Sequence, residues 1–369
     1  VSLQQEFPYQ VVLTVAYVSG RGRNLFLRSV TNQIVAVRTN PNPTLPAVVI
    51  REFDTDLGGT NVLRPFAEVD YKTSGGSDSY NGLQLSLGRR LSSGLTLNSQ
   101  YTYSKSFGNS QGSNEALTAG NLARKKEDFE YDRGYNAFDI RHTFNLSALY
   151  SLPFGRGRRY LTGLRGFGQA LLGNWEMGTI INARSGIPLD LRIVRPDVVY
   201  VDAAGNVYLT PDVGRTAIIN TPGGGASRNV RRPDRLPGVN PYLDNDRQFI
   251  NPAAFATPKP GTFGNLQRGA LRGPNFRQMD MILNKRFPLS ETSHIEFRAE
   301  FFNLFNVTNF SNPPVTLPSI LGTGTNQVQP GQPFSRAAGG NFGILNQTVG
   351  RTVGLGTNRQ IQFALRINF

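Results

Sequence analysis

Single alternation of apolar and polar residues runs through much of this chain, and its last stretch is the clearest case. Ile361, Phe363, Leu365, Ile367 and Phe369 fall on one face, while Gln360, Gln362, Arg366 and Asn368 fall on the other. A period of two predicts a β-strand with two unlike sides. Its length, about ten residues, is what a tilted strand needs to cross a bilayer core. Such a strand must pair its backbone groups along its edges, and in lipid only a closed barrel leaves no edge unpaired. The pattern therefore predicts an all-β fold, an antiparallel transmembrane β-barrel.

The same alternation recurs along the chain. Val11, Leu13, Val15 and Tyr17 share a face after an initial strand at residues 1–7. Leu83, Leu85 and Leu87 lead through Ser92, Ser93 and Gly94 into Leu95, Leu97, Ser99, Tyr101 and Tyr103, which predicts a tight hairpin. The longest face is Ile140, His142, Phe144, Leu146, Ala148, Tyr150 and Leu152, set against Arg141, Thr143, Asn145 and Ser147. Trp175, Met177, Thr179, Ile181 and Ala183 continue the set. So do Met279, Met281 and Leu283 with Phe287, and Ile295, Phe297, Ala299 and Phe301. This amounts to about ten strands.

The connections come in two alternating kinds. Residues 91–95 and 287–292 are tight turns and residues 153–169 somewhat longer, whereas residues 107–136, 185–275 and 306–358 are long and rich in Gly, Pro and Asn. Long connections without structure are uncommon in compact soluble domains. Outer-membrane barrels alternate short periplasmic turns with long external loops, so 185–275 and 306–358 are expected outside the cell. Residues 21–64 are either one such loop or a hidden hairpin of residues 34–37 against 48–52. Strand directions before Tyr80 stay open.

Composition removes other classes. The 369 residues hold 40 Gly, 23 Pro and no Cys, so disulfide scaffolds and thiolate metal sites are excluded. Mean hydropathy is −0.31, and no stretch reaches the roughly 18 apolar residues of a spanning helix. Barrel strands turn only alternate residues to lipid, so this value is neutral for a barrel. Residues 1–10 contain neither a basic start nor an apolar core of a secretory signal, and the opening strand is read as cut in mid-barrel.

Candidate chemistry is sparse. The two histidines, His142 and His294, lie in predicted strands. His142 with Asp139 and Ser147 suggests a hydrolase, but Ser147 points to the opposite face, so the set does not converge, and no catalytic residue is expected. Acidic clusters at Asp54 and Asp56, at Glu127, Asp128, Glu130 and Asp132, and at Asp244 and Asp246 offer oxygen ligands without the spacing of a calcium loop. They are read as solvated, with no metal and no cofactor expected. The glycines 223–225 follow Thr221 and Pro222 but do not stand between a strand and a helix, so they are not a phosphate cradle.

The formal charge of +14 raises the question of nucleic acid. The bases are scattered (Arg21 and Arg23, Arg89 and Arg90, Lys125 and Lys126, Arg156, Arg158 and Arg159, Arg231 and Arg232), with no recognition element among them. Such scatter suits anionic lipid headgroups at the rims of a barrel, lipopolysaccharide included, and no nucleic-acid partner is expected. Glu296, Arg298 and Glu300 alternate with apolar neighbours and should face the lumen, as candidates for ligand contact or as a salt-bridged wall. Tyr101, Tyr103, Tyr150, Phe154, Trp175, Phe287, Phe305 and Phe310 are candidates for interfacial girdles. The main alternative fold is a large soluble β-sandwich, which would bury these faces against a second sheet.

Several stretches also resemble one family. Ala137-Phe138-Asp139-Ile140-Arg141-His142, running on to Tyr150-Ser151-Leu152-Pro153-Phe154-Gly155, is similar to a stretch near the end of Oar-like TonB-dependent outer-membrane receptors. Asn81-Gly82-Leu83-Gln84 after Tyr80, Tyr101-Thr102-Tyr103-Ser104-Lys105-Ser106, Trp175 with Ser185-Gly186-Ile187-Pro188, Asn251-Pro252-Ala253-Ala254-Phe255 with Gly261-Thr262-Phe263-Gly264-Asn265, and Glu300-Phe301-Phe302-Asn303-Leu304-Phe305-Asn306 follow in the family's order. The resemblance implies a barrel of some two dozen strands, filled by an amino-terminal plug and opened by an energy-transducing partner. No plug and no partner-binding box is read in these residues, which are expected to form the carboxy-terminal part of such a barrel. The partner, TonB, would then act only through a plug region outside this chain. Phe363, Leu365, Ile367 and Phe369 resemble the signal by which barrel-assembly machinery recognises its clients. The expected function is uptake of a scarce nutrient across the outer membrane. The alternative is a structural or adhesive outer-membrane protein, or a passive pore.

Overall fold

The computed structural model describes residues 1–92, 94–110, 125–224, 231–245, 247–290, 292–350, 356 and 358–369. Its main element is a 10-stranded antiparallel sheet, in which the tenth member is the short pair Gly134–Tyr135 beside the fourth strand. We number the others β1 (Ser2–Phe7), β2 (Val11–Thr31), β3 (Val69–Ser92), β4 (Leu95–Gly108), β5 (His142–Ser151), β6 (Trp175–Arg184), β7 (Phe276–Pro288), β8 (His294–Phe302) and β9 (Gln360–Asn368). They follow one another in chain order, each antiparallel to the next. This fixes the directions left open before Tyr80. Ser93, between β3 and β4, lies outside the described residues, and Gly94 takes a φ of +83° at that turn.

The register joins the predicted faces into one band. Val15 opposes Leu85, Leu85 opposes Tyr101, Tyr101 opposes Phe144, and Phe144 opposes Ala183. Further on, Ile181 opposes Met279, Leu283 opposes Ala299, and Ala299 opposes Phe363. A slip of one residue at any pairing would turn that strand's apolar side over. Phe363 is 69% exposed and Phe369 98% exposed, and among the described residues no second sheet packs on this face. That rules out the soluble sandwich, whose apolar faces would be buried against a second sheet. The opposite face carries Gln84, Gln100, Asn145, Asn182, Asp280 and Arg298, which are polar. Among the described residues the sheet is open, because β1 pairs only with β2 and β9 only with β8.

Short connections all lie at one end of the wall and long ones at the other. At the short end, the link between β5 and β6 holds a helix that the sequence did not suggest, α1 (Gly166–Leu172). At the long end, β2 with 21 residues and β3 with 24 form a hairpin that continues well past its neighbours. At about 3.3 Å per residue it is more than twice the thickness of a bilayer core. Two shifts of register between Arg23 and Leu27 bend it. Gly76 is required there, since a Cβ would stand 2.6 Å from the Leu25 carbonyl oxygen.

Most of the buried apolar residues sit beyond the wall, in a cap built from the long connections. Leu189, Leu191, Ile193 and Phe255 from residues 185–275 pack with Phe334 and Phe342 from residues 306–358 in one core. Small sheets bind the two segments together. Pro188–Leu189 pairs with Leu271–Arg272, and Arg192–Ile193 pairs in parallel with Thr316–Leu317. These connections are therefore folded, which corrects the expectation of open loops. Burial of these side chains offsets the entropy of ordering so long a stretch. The hairpin of Ile34–Arg38 and Val48–Arg51 exists as the second of the two options for residues 21–64. It joins the cap where the Ala47 amide donates to Tyr200 Oη at 3.0 Å.

Candidate functional site

On the polar face of the wall the backbone register sets side by side Thr96, Leu149, Gly178, Ile282 and Glu300. The next row holds Asn98, Ser147, Ile180 and Asp280. Gly178 supplies no side chain in the middle of these rows. A Cβ there would lie 2.5 Å from Ile282 Cγ2, so glycine keeps the wall open. The result is a recess of about 370 Å³, in which Leu149, Ile180, Ile282 and Phe302 meet Asp280 and Glu300. Ile180 is 51% and Leu149 43% exposed, so an otherwise polar wall offers an apolar floor beside two carboxylates. This combination suits an organic solute with an apolar body and hydrogen-bond donors or positive charge.

Of the residues the sequence put forward, Glu300 lines this recess. Arg298 stands beside it and reaches both acids, with Nη1 3.7 Å from Glu300 Oε1 and Nη2 3.5 Å from Glu296 Oε1. Glu296 is one step further down, opposite Arg286 on β7 and Arg366 on β9. The three thus form a charged ladder of which one end touches the recess. Asp280, Leu149, Ile180, Ile282 and Phe302 were missed. The signal for Ile180, Ile282 and Phe302 was present as apolar doublets, Ile180-Ile181, Ile282-Leu283 and Phe301-Phe302, which break the alternation where a strand meets apolar surroundings on both faces, and Asp280 alternates with Met279 and Met281.

The cap meets the wall through buried ionic contacts. Asp139 Oδ1 accepts from the Ser106 amide on β4, and Oδ2 pairs with Arg272 from the cap. Arg272 Nη1 also donates to the Gly186 carbonyl at 3.1 Å. Its guanidinium lies 5.2 Å from the centre of the Tyr135 ring, which Arg141 also flanks at 5.2 Å. Arg268 donates to the Gly108 carbonyl and, at 3.2 Å, to Asn136 Oδ1. On the polar face of β7 the Gly356 amide donates to Gln278 Oε1 at 2.6 Å, so the last connection reaches inside the wall.

Several expectations about charge are corrected here. Arg231 and Arg232 do not face lipid headgroups. Both are buried, and Arg232 Nη1 lies 2.6 Å from Asp132 Oδ1 with its Cζ 4.0 Å from the centre of the Tyr131 ring. Arg195 donates to the carbonyls of Thr262, Lys259 and Asn220, each at 2.7 Å; burial, with Arg231 nearby, pushes its pKa down to about 10, still charged at neutral pH. Three acids of the first two clusters are exposed to solvent, as expected, and are also paired with bases. Asp56 meets Arg38 at 2.7 Å, Asp128 meets Lys125 at 3.2 Å, and Glu130 meets Arg133 at 2.8 Å. Glu52 accepts from Lys126 Nζ at 3.1 Å and Thr31 Oγ1 at 3.0 Å, and these bonds hold its carboxyl below the ordinary range. Asp246 and Gly225 lie outside the described residues. Thr221 Oγ1 donates to Asp197 Oδ1 at 2.9 Å, within the cap.

His142 sits on the apolar face, its Nδ1 2.8 Å from Tyr101 Oη and its ring 5.2 Å from that of Tyr103. Ser147 is on the opposite face and Asp139 is held by Arg272, so the three do not assemble. Trp175, Tyr150, Phe154 and Phe287 mark the short-turn end, and Tyr101, Tyr103 and Phe305 the long end. Phe310 does not belong with them, because it bridges to Thr348 in the cap.

Comparison with known proteins agrees with this geometry. A search of curated proteins finds no match to the chain. A family model described as outer membrane beta barrel domain matches residues 1–362, nearly the whole length of a chain whose apolar band, antiparallel register and alternating connections are those of a membrane-crossing wall. The chain belongs to the outer membrane beta barrel domain family and is a β-barrel domain of the bacterial outer membrane.

Proposed function

We propose that this chain is the carboxy-terminal part of the barrel of a TonB-dependent outer-membrane receptor that takes up a scarce nutrient. The observation that carries the reading is the lumenal recess around Gly178, with Asp280 and Glu300 at its edge, lying below a folded external cap. A passive pore needs neither a cap with its own core nor an apolar floor in its wall. The open edges at β1 and β9 support membership of a larger cylinder, since an unpaired edge in lipid leaves backbone groups without partners. The plug, through which an energised partner would act, comes from outside these residues. His142 serves at the interface and not in catalysis.

The test is accumulation of labelled solutes by cells carrying the intact protein, using a ferric chelate, an oligosaccharide and a peptide. Uptake of one of them that is lost when a protonophore collapses the proton-motive force is the expected result. Uptake indifferent to the protonophore would make the protein a passive pore. The cap's own hydrophobic core favours one second reading, a structural or adhesive role, in which surface binding would occur without accumulation.

A further inference from the structure

Residues 152–174, between β5 and β6, form the longest connection at the short-turn end, which in outer-membrane barrels faces the periplasm. The stretch carries Arg156, Arg158, Arg159 and Arg165 and no acidic residue. Its helix α1 is fastened to the lipid side of the wall. Trp175 Nε1 donates to the Leu171 carbonyl at 2.9 Å, and Lys285 Nζ donates to the Gly173 carbonyl. Trp175 and Lys285 oppose each other within the band that faces lipid. Phe167 is 81% and Leu171 53% exposed, four residues apart on one side of the helix. In water this would be an unfavourable surface; at the acyl boundary it is buried.

Beside the helix is a recess of about 740 Å³ lined by Arg156, Arg165 and Arg286 together with Leu164, Phe287 and Pro288 and, among the described residues, by no acidic side chain. Phe287 belongs to the lipid-facing band, opposite Ile295. Arg156 and Arg165, with Arg286 reaching the recess from the polar face of β7, where it lies opposite Glu296, call for an anion with several oxygens, and the paired N–H groups of arginine match phosphate. Phe287, which lines the recess and belongs to the lipid-facing band, together with the exposed Phe167 and Leu171 of α1, calls for acyl chains on that anion. The end of the wall that carries the recess meets the inner leaflet, which lipopolysaccharide does not occupy.

We propose that residues 152–174 hold an anionic glycerophospholipid of the inner leaflet, with its phosphate between Arg156, Arg165 and Arg286 and its acyl chains against Phe167, Leu171 and Phe287. The site rests on the membership of an outer-membrane barrel and not on the transport reading, so either can fail alone. It would give the barrel a fixed height and a fixed lipid neighbour at its periplasmic rim.

Trp175 makes the test direct, because it is the chain's one tryptophan and is bonded to the helix. The intact protein is placed in phosphatidylcholine bilayers, and its Trp175 emission is taken as the difference from the Trp175→Phe variant. Brominated phosphatidylglycerol or brominated phosphatidylcholine is then titrated in. Quenching should reveal a preference for phosphatidylglycerol of about tenfold. In Arg156→Ser/Arg165→Ser, which leaves the wall strands untouched, the ratio should fall close to one, while quenching by brominated phosphatidylcholine persists and reports normal insertion. Equal quenching by the two lipids in the unaltered protein would overturn the proposal, as would a preference that survives in the variant. A preference abolished by inorganic phosphate, but not by sodium chloride of equal ionic strength, would make this a site for free anions and overturn the lipid assignment.

Discussion

Asp139 and Arg272 are separated by 133 positions in the chain and form an ion pair where the cap meets the wall, the carboxylate buried and the guanidinium half-buried. The acid precedes β5 and the base lies in the last strand of the cap before β7, so the pair closes over residues 185–271. Asp139 also takes the Ser106 amide from β4, and one carboxylate thereby fixes two strands and the cap. Removing it leaves a guanidinium among carbonyls without its counter-charge.

Asp139→Ala should therefore destabilise the attachment of the cap by about 3–5 kcal/mol, and Asp139→Ala/Arg272→Met by clearly less. Thermal unfolding followed by loss of protease resistance in the cap measures both. Equal loss in the single and double variants would show that the pair is not what joins cap and wall.

Gly178→Leu should fill the lumenal recess. Accumulation of the solute selected by the uptake assay should fall at least about tenfold, equivalent to about 1.4 kcal/mol. The heat-dependent gel mobility of the folded wall should be retained. Unchanged uptake with a normal wall would exclude the recess as the binding site.

Deletion of Phe369 should lower the amount of protein assembled in the outer membrane more than the amount synthesised. Phe363, Leu365, Ile367 and Phe369 present one uncovered apolar face, which suits recognition by strand addition to an exposed edge of the assembly machinery. Normal assembly without Phe369 would remove that role and leave it an interfacial anchor.

Glu52 gives the cap an acid-sensitive contact. Its carboxyl is held below the ordinary value by Lys126 first and Thr31 second. A carboxylate whose folded pKa is lowered contributes in full above the ordinary value, and the contribution disappears as pH falls through the lowered one. Glu52→Gln should thus destabilise the protein at neutral pH and have progressively less effect towards acid. A difference from the parent that stays constant from neutral to acid would contradict this, read as melting temperature against pH. The pair is partly exposed, so the effect is small.

The wall was legible in the sequence because its constraint is local. Leu83, Leu85 and Leu87 must alternate whatever lies elsewhere, and lipid on one side enforces it along every strand. The cap was not legible, because its core joins Leu189 to Phe334 through contacts with no period, in segments rich in Gly and Pro that read as loops. Arg232 looked like surface charge for the same reason, since its partner Asp132 lies 100 positions away in the chain. The recess stood between these cases. Glu300 followed from its alternation with Phe297 and Ala299, whereas Gly178 and Ile282 acquire meaning only when the register sets them side by side. The helix α1 is short, and its contacts to Trp175 and Lys285 hold it more than any helical period does.

The central claim is that one face of this wall meets lipid and the other meets water, with the register given above. The chain has no cysteine, so single cysteines can be placed at Phe363, Leu365, Arg298 and Arg366 in the assembled protein. A membrane-impermeant, water-soluble maleimide, applied to opened membranes, should label positions 298 and 366 and spare 363 and 365, while a lipid-soluble maleimide should give the reverse. Water-phase labelling at 363 and 365 with protection at 298 and 366 would contradict the account.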